Sequence, residues 1–141
     1  MSTGPLPYSL VKEAEELFTY LIETSAEPML VHGDLHQDNV MSSNRGGWLA
    51  IDPKGIAAEP AYETAAMIRN PYQKMKDVKN MEEVLYKRIQ ILSEELGFEA
   101  KRIYQWCLAQ TVLSAVWSAE DEGRKWEHAI VVAEVLHKMK F

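Results

Sequence analysis

Three oxygen-bearing side chains at short intervals are the first feature of this sequence that could do chemistry. They are Asp34, Asn39 five residues later, and Asp52 eighteen residues beyond Asp34. The first two lie in Val31-His32-Gly33-Asp34-Leu35-His36-Gln37-Asp38-Asn39-Val40, the third in Leu49-Ala50-Ile51-Asp52-Pro53-Lys54-Gly55. Transfer of a phosphoryl group asks little covalent work of a protein. It needs a carboxylate to orient and deprotonate the accepting hydroxyl, hard oxygen ligands for Mg²⁺, and positive charge on the phosphates. An aspartate base, an amide oxygen and a second aspartate brought together by a hairpin supply the first two. Singly, Asp34, Asn39 and Asp52 are ordinary turn residues and His32 an ordinary core histidine. Their joint spacing in a strand-turn-strand frame is what carries the phosphoryl-transfer reading. Lys54 is a candidate for balancing the carboxylates or touching a phosphate, against the alternative of a solvated lysine past a strand end.

The elements that must position these residues are short. Residues 40–43 and 48–51 read as two strands joined by Asn44-Arg45-Gly46-Gly47, and Met29-Leu30-Val31 is a brief apolar run before the loop. Pro53 lacks an N–H, so it should stop the second strand and hold Asp52 extended, with a loop running on through Gly55 and Glu59-Pro60. Upstream, Leu10, Val11, Ala14, Leu17, Phe18, Leu21 and Ile22 recur at helical spacing behind Ser9, the expected N-cap, in a helix ending near Ser25. Downstream, residues 61–70 form a short helix closed by Pro71, and residues 81–96 a longer one ended by Gly97. Residues 72–80 are polar and uninformative, and residues 103–117 are apolar on nearly all sides, which predicts a helix central to the core. Residues 125–140 form a last helix packed on it. The four tryptophans are expected in the core, and Cys107 as a small buried hydrophobe. The fold class is mostly α with a small β-hairpin (α+β), in one domain over residues 1–141.

Bulk properties narrow the partners. With 47% hydrophobic and 26% charged residues the composition is that of an ordinary globular domain. A formal net charge of −6 argues against nucleic acid or an anionic membrane surface and leaves room for cationic ligands. Glu120, Asp121 and Glu122 fall where the central helix should end, and negative charge is unfavourable at a helix C-terminus. A cationic ligand would relieve it, so these three are a candidate recognition patch, the alternative being a solvated loop before Gly123. The single cysteine and the lack of a leader or a membrane-length apolar run make a soluble cytoplasmic protein the simplest expectation.

The stretch His32-Gly33-Asp34-Leu35-His36-Gln37-Asp38-Asn39 resembles the catalytic loop of the aminoglycoside phosphotransferases, which share the protein-kinase-like fold. Trp48 to Gly55, Glu59-Pro60-Ala61-Tyr62-Glu63 and Arg69-Asn70-Pro71 narrow the resemblance to the streptomycin 6-kinase and hydroxyurea phosphotransferase group. The resemblance implies the C-terminal lobe of that fold. It would have its catalytic loop at 31–40, a metal-binding hairpin end at 48–55 and a helical substrate region at 61–141. It implies Asp34 as catalytic base, Asn39 and Asp52 as Mg²⁺ ligands, and His32 and His36 as supports of the loop. ATP would be the co-substrate and a cationic aminoglycoside the small-molecule partner. Gln37 and Asp38 occupy variable positions, and Glu59, Tyr62, Glu63 and Arg69 read as structural.

Such a kinase also needs a nucleotide-clamping lobe, with a Gly-rich strand-turn over the phosphates and a strand lysine paired to a helix glutamate. Only 31 residues precede His32, and Gly46-Gly47 belongs to the hairpin. The expectation is therefore a C-terminal lobe inactive as an isolated chain, with an apolar surface that is open to self-association. Two rivals stand beside it. One is a non-catalytic lobe remnant acting as a helical binding or interaction module. The other is a metal oxygenase using His32, Asp34 and His128, which would call for a strand-rich barrel.

Overall fold

The computed structural model describes residues 6–75, 77–121 and 126–141. In chain order its elements are α1 (Tyr8–Glu23), β1 (Met29–Val31), β2 (Val40–Ser42), β3 (Trp48–Ala50), β4 (Ile56–Ala58), α2 (Thr64–Arg69), α3 (Tyr72–Met75), α4 (Met81–Leu96), α5 (Ala100–Glu120) and α6 (Trp126–Lys138). Short 3-10 turns cover Gln37–Asn39 and Pro60–Glu63. The architecture is mostly helical with two small antiparallel β pairs, and the oxygenase reading, which needs a barrel, has no frame here. No helix among the described residues is long and apolar enough to cross a membrane.

The helical side follows from hydrophobic periodicity. α5 carries Ile103, Trp106, Cys107, Leu108, Val112 and Ala115 fully or almost fully buried, with Gln110 and Thr111 buried between them, and it packs on α1, α2, α4 and α6. Burial pushes the Cys107 thiol up to about 11, so it stays protonated and unreactive, as the sequence implied. α1 buries Leu10, Ala14 and Leu21. It begins one residue ahead of Ser9, whose place in the first turn rules it out as the cap. Pro7 takes that position instead, its carbonyl accepting from the Leu10 and Val11 N–H groups. α4 ends where Gly97 adopts the left-handed conformation at φ 75° and donates to the Ser93 carbonyl. The polar stretch after Pro71 hides α3, whose Met75 is fully buried in the main core.

The tryptophans correct an expectation. Trp106 is buried, but Trp48 is 73% exposed and Trp117 57% exposed, and the Trp126 side chain lies outside the described residues. Trp48 sits on a strand of a two-stranded pair, and Trp117 lies on the face of α5 that lines the cavity beside Asp34, away from the face where Val116 and Ala119 pack on α6.

On the site side, β2 and β3 form the expected hairpin in the register Val40↔Ala50, Met41↔Leu49 and Ser42↔Trp48. A second pair was not expected: β1 runs antiparallel to β4, with Met29↔Ala58, Leu30↔Ala57 and Val31↔Ile56. Asp52 is the second correction. It is not extended before Pro53 but has φ 51°, in the left-handed region that aspartate tolerates better than most residues. The chain must reverse there to lead β3 into β4, and the Lys54 and Gly55 N–H groups both donate to the His32 carbonyl, at 2.8 and 3.0 Å.

Candidate functional site

The loop after β1 is held by polar staples rather than by apolar packing. His32 Nδ1 accepts the Asp34 N–H at 3.1 Å, which leaves the ring proton on Nε2 to donate to the Ile51 carbonyl at 2.6 Å. One imidazole thus joins the backbone at Asp34 to the residue before Asp52. Glu63, at the end of the 3-10 turn, accepts the His32 N–H through one carboxylate oxygen and the Gly33 N–H through the other, at 3.0 Å for Gly33. Gly33 has φ 90°, and a Cβ there would lie 2.7 Å from Ile56 Cδ1, so both conformation and space require glycine. Gln37 Nε2 ties the same loop to the Met67 carbonyl of α2 at 2.9 Å.

Within that frame Asp34, His36, Asn39 and Lys54 converge. The buried Asn39 donates through Nδ2 to the Asp34 carbonyl at 2.8 Å, and its own carbonyl accepts the Ile51 N–H at 2.9 Å. Its Oδ1 makes no hydrogen bond among the described residues. His36 Nδ1 accepts the Asp38 N–H at 3.2 Å, and its Nε2 lies 3.4 Å from Asn39 Nδ2 and 3.7 Å from Asp34 Oδ2. Lys54 Nζ lies 3.8 Å from the same oxygen with its side chain 60% exposed, a pairing of charges rather than a direct hydrogen bond. The exposed Asp52 carboxylate makes no hydrogen bond among the described residues either. Two hard oxygens without partners are the donor type that Mg²⁺ takes. No group of three or more His, Cys, Asp or Glu among the described residues could hold a metal alone.

Beside Asp34 opens a cavity of about 210 Å³. Gly33, Asp34, His36 and Lys54 line one side, and Tyr62, Arg69, Gln110, Ser114 and Trp117 the other. Burial raises the Tyr62 hydroxyl pKa, partly offset by the Arg69 charge, so the phenol stays neutral. A groove of about 1040 Å³ between α4 and α6, lined by Val78, Tyr86 and Lys138 among others, contains none of the chemistry-bearing loop. Size therefore does not locate the site.

A second polar knot sets the entry to β1. Glu59 is buried and accepts from Arg102 Nε at 2.7 Å, from Trp106 Nε1 and from the Ala26 N–H at 3.1 Å. Arg102 also donates to the Leu21 carbonyl and to Thr24 Oγ1 at the end of α1. Burial pulls the Glu59 pKa up, but the bonds from Arg102, Trp106 and Ala26 outweigh it and hold the carboxyl below its ordinary value. Glu59 and Glu63 are structural ties, as the sequence suggested, yet the sequence carried no sign that Glu63 grips the loop of Asp34 itself. Glu120 and Asp121 close α5 about one turn beyond Trp117 and are exposed, while Glu122 lies outside the described residues. Neither Glu120 nor Asp121 lines the cavity beside Asp34.

The sequence is similar to those of known proteins. Residues 3–122 match the aminoglycoside/hydroxyurea antibiotic resistance kinases. The hydroxyurea phosphotransferase of Kitasatospora aureofaciens is 36% identical over 119 residues, which is 82% of this chain and 33% of that protein. The streptomycin 3''-kinase of Klebsiella pneumoniae is 32% identical over 116 residues, covering 81% of this chain and 44% of the relative. The streptomycin 6-kinase of Streptomyces glaucescens is 28% identical across 72% of this chain and 33% of its own length. The chain thus spans less than half the length of the curated relatives it matches. In fold it superposes on the choline kinase LicA from Streptococcus pneumoniae with a TM-score of 0.63 at 17% identity, over 96% of this chain and 50% of that one. That likeness makes the α+β architecture the C-terminal lobe of a kinase-like fold. With the match running through the catalytic-type loop, the hairpin and the helices that hold them, the chain belongs to the aminoglycoside/hydroxyurea antibiotic resistance kinase family.

Proposed function

We propose that this chain is the half of a phosphotransferase that receives the acceptor and anchors the metal, in a reaction moving the γ-phosphate of ATP to an alcohol group of a small molecule. The observation that carries the reading is the stapled loop. Glu63 and His32 fix the backbone from His32 to Asp34, Asn39 holds the Asp34 carbonyl, and no hydrogen bond among the described residues occupies the Asn39 Oδ1 or the Asp52 carboxylate. Asp34 takes the proton of the attacking hydroxyl. Asn39 and Asp52 would hold Mg²⁺, and the ion would supply positive charge to offset that developing on the transferred phosphoryl group. His32 and His36 hold the loop, and Lys54, on its exposed stem, meets a phosphate. For the acceptor we favour a cationic, streptomycin-type aminoglycoside, whose ammonium groups would meet Glu120, Asp121 and Glu122, in keeping with the names of the relatives.

The 141 residues contain no Gly-rich phosphate clamp, so the isolated chain is expected to lack ATP-dependent activity. Purified with ATP, Mg²⁺ and streptomycin, it should transfer no phosphate above an Asp34→Ala sample. Mixed with the nucleotide-binding half of a family member, it should gain transfer, and Asp34→Ala should then lower the rate roughly 10²- to 10⁴-fold. Activity of the chain alone above that control would overturn the inactive reading, and restored transfer indifferent to Asp34 would overturn the assigned base.

One observation favours a second reading, the interaction module. Leu30 is 83% exposed, and Met29, Met41, Trp48 and Leu49 are exposed with it on the strands. Singly exposed apolar residues are ordinary, but this many on two short β pairs make apolar surface that a partner or second copy could cover. Concentration-dependent sedimentation, abolished by Leu30→Lys with Trp48→Lys, would support it.

A further inference from the structure

One wall of the cavity beside Asp34 has no part in the reading above. Arg69, in the last turn of α2, is only 9% exposed. Its Nη1 donates to Gln110 Oε1 at 2.9 Å, and Gln110 is turned by its own Nε2, which donates to the Tyr62 carbonyl at 2.9 Å. The guanidinium is therefore held in one orientation from α5. Its Nε is buried with no partner, and its Nη2 makes no hydrogen bond among the described residues. A guanidinium cannot shed its charge, and N–H groups left without a partner favour an acceptor oxygen. Arg69 lines the cavity together with Asp34, Lys54, Ser114 and Trp117. Ser114 adds a hydroxyl without a hydrogen bond among the described residues, and Trp117 an apolar ring plane at the half-open rim. At about 210 Å³ the space is below the range of drug-sized pockets and suits a small molecule or one end of a larger one.

We propose that Arg69 is the specificity-determining residue of the acceptor pocket: its Nη2, which no hydrogen bond among the described residues occupies, binds a carbonyl or other hydrogen-bond-accepting oxygen adjacent to the hydroxyl that Asp34 addresses. The inference rests on the phosphotransfer reading of Asp34. Two cations, Arg69 and Lys54, line the cavity against one aspartate, so an ammonium beside the reacting hydroxyl is turned away. A neutral oxygen function is accepted there. In a polycationic acceptor the ammonium groups lie outside the cavity, on the side of Glu120 and Asp121, and a neutral hydroxylated end enters.

A matched pair of small probes tests this on the full chain without needing turnover. Hydroxyurea carries a carbonyl beside its hydroxyl, and 2-aminoethanol carries an ammonium beside its own. In ¹H–¹⁵N spectra, hydroxyurea should saturably shift the Trp117 indole and the Gln110 side-chain amide, while 2-aminoethanol at the same concentration should not. Arg69→Gln should weaken hydroxyurea binding at least tenfold, the loss expected of a charge-assisted hydrogen bond. Because Arg69 is buried and its replacement could unfold α2, Ser114→Val provides the second variant, filling the pocket from α5 and abolishing the shifts. Equal binding of 2-aminoethanol, or hydroxyurea binding unchanged in both variants, would overturn the inference. The phosphotransfer reading is followed separately by Mn²⁺ with ATP, which should broaden the Asn39 and Asp52 signals. Retained broadening with binding indifferent to Arg69 removes the pocket assignment alone, and loss of both effects removes both.

Discussion

The two sides of this molecule are held together by different forces. Around α5, stability comes from apolar burial: Ile68, Leu85, Ile89, Ile103, Leu108, Val112, Val132 and Leu136 are all at or near zero exposure. Around Asp34 the strands are three residues long, their apolar side chains are largely exposed, and geometry depends on directed bonds from a few groups. His32, Glu59, Glu63 and Gln37 each tie the loop region to a segment more than fifteen residues away. A core built from many contacts degrades gradually, and a site built from single hydrogen bonds fails one bond at a time. The helical side therefore sets whether the chain folds, and the staples set how the loop carrying Asp34 is held.

That contrast can be broken by experiment. The largest effect on stability should come from Leu108→Ala in the middle of α5, which removes fully buried side-chain atoms and should cost about 2–5 kcal/mol in urea unfolding. Site and core signals should disappear in one transition. Glu63→Gln should cost less, about 1–3 kcal/mol, because one carboxylate serving two backbone N–H groups becomes a weaker neutral acceptor. Here hydrogen exchange should separate the regions, with the His32 and Gly33 amides losing protection while those of α5 keep theirs. If α5 loses protection equally, the two sides are one cooperative unit and the contrast fails.

Acid should act on Glu59 in the same selective way. Its folded pKa lies below the ordinary 4.5, so its stabilising contribution is full above that value and is lost as pH falls through the lowered folded pKa. Stability measured between pH 6 and pH 3 should drop on the acid side, and Glu59→Gln should flatten that part of the profile that wild type shows. The smallest change belongs to Lys54→Met. An exposed amine 3.8 Å from Asp34 should contribute less than about 1 kcal/mol to stability, readable as a near-unchanged melting temperature. A large loss would show that Lys54 is a staple after all.

Most of the helical side was legible because its signal is local. Leu10, Ala14 and Leu21, or Leu85 and Ile89, declare a buried face through spacing alone, and Gly97 marks an end through its φ. The β2–β3 hairpin was legible from Asn44 to Gly47. The β1–β4 pair was not, since three residues show no period and the partners are 25 or more positions apart. Ser9 as cap and Asp52 as extended were sound local inferences that lost to their surroundings, the one to Pro7 and the other to a reversal pinned on the His32 carbonyl.

By itself, then, the sequence determined which groups are present: a base-type aspartate, two hard oxygens at set intervals, a glycine before the base, and helices able to form a core. Only the tertiary structure decided that Glu63 grips the loop 30 positions before it, that His32 carries its proton on Nε2, and that Arg69 stands buried beside Asp34 with N–H groups unused. The physical reason is range. Periodicity and turn chemistry act between neighbours in sequence, whereas a hydrogen bond is specified by positions and angles in space, which exist only once the core has set the distances.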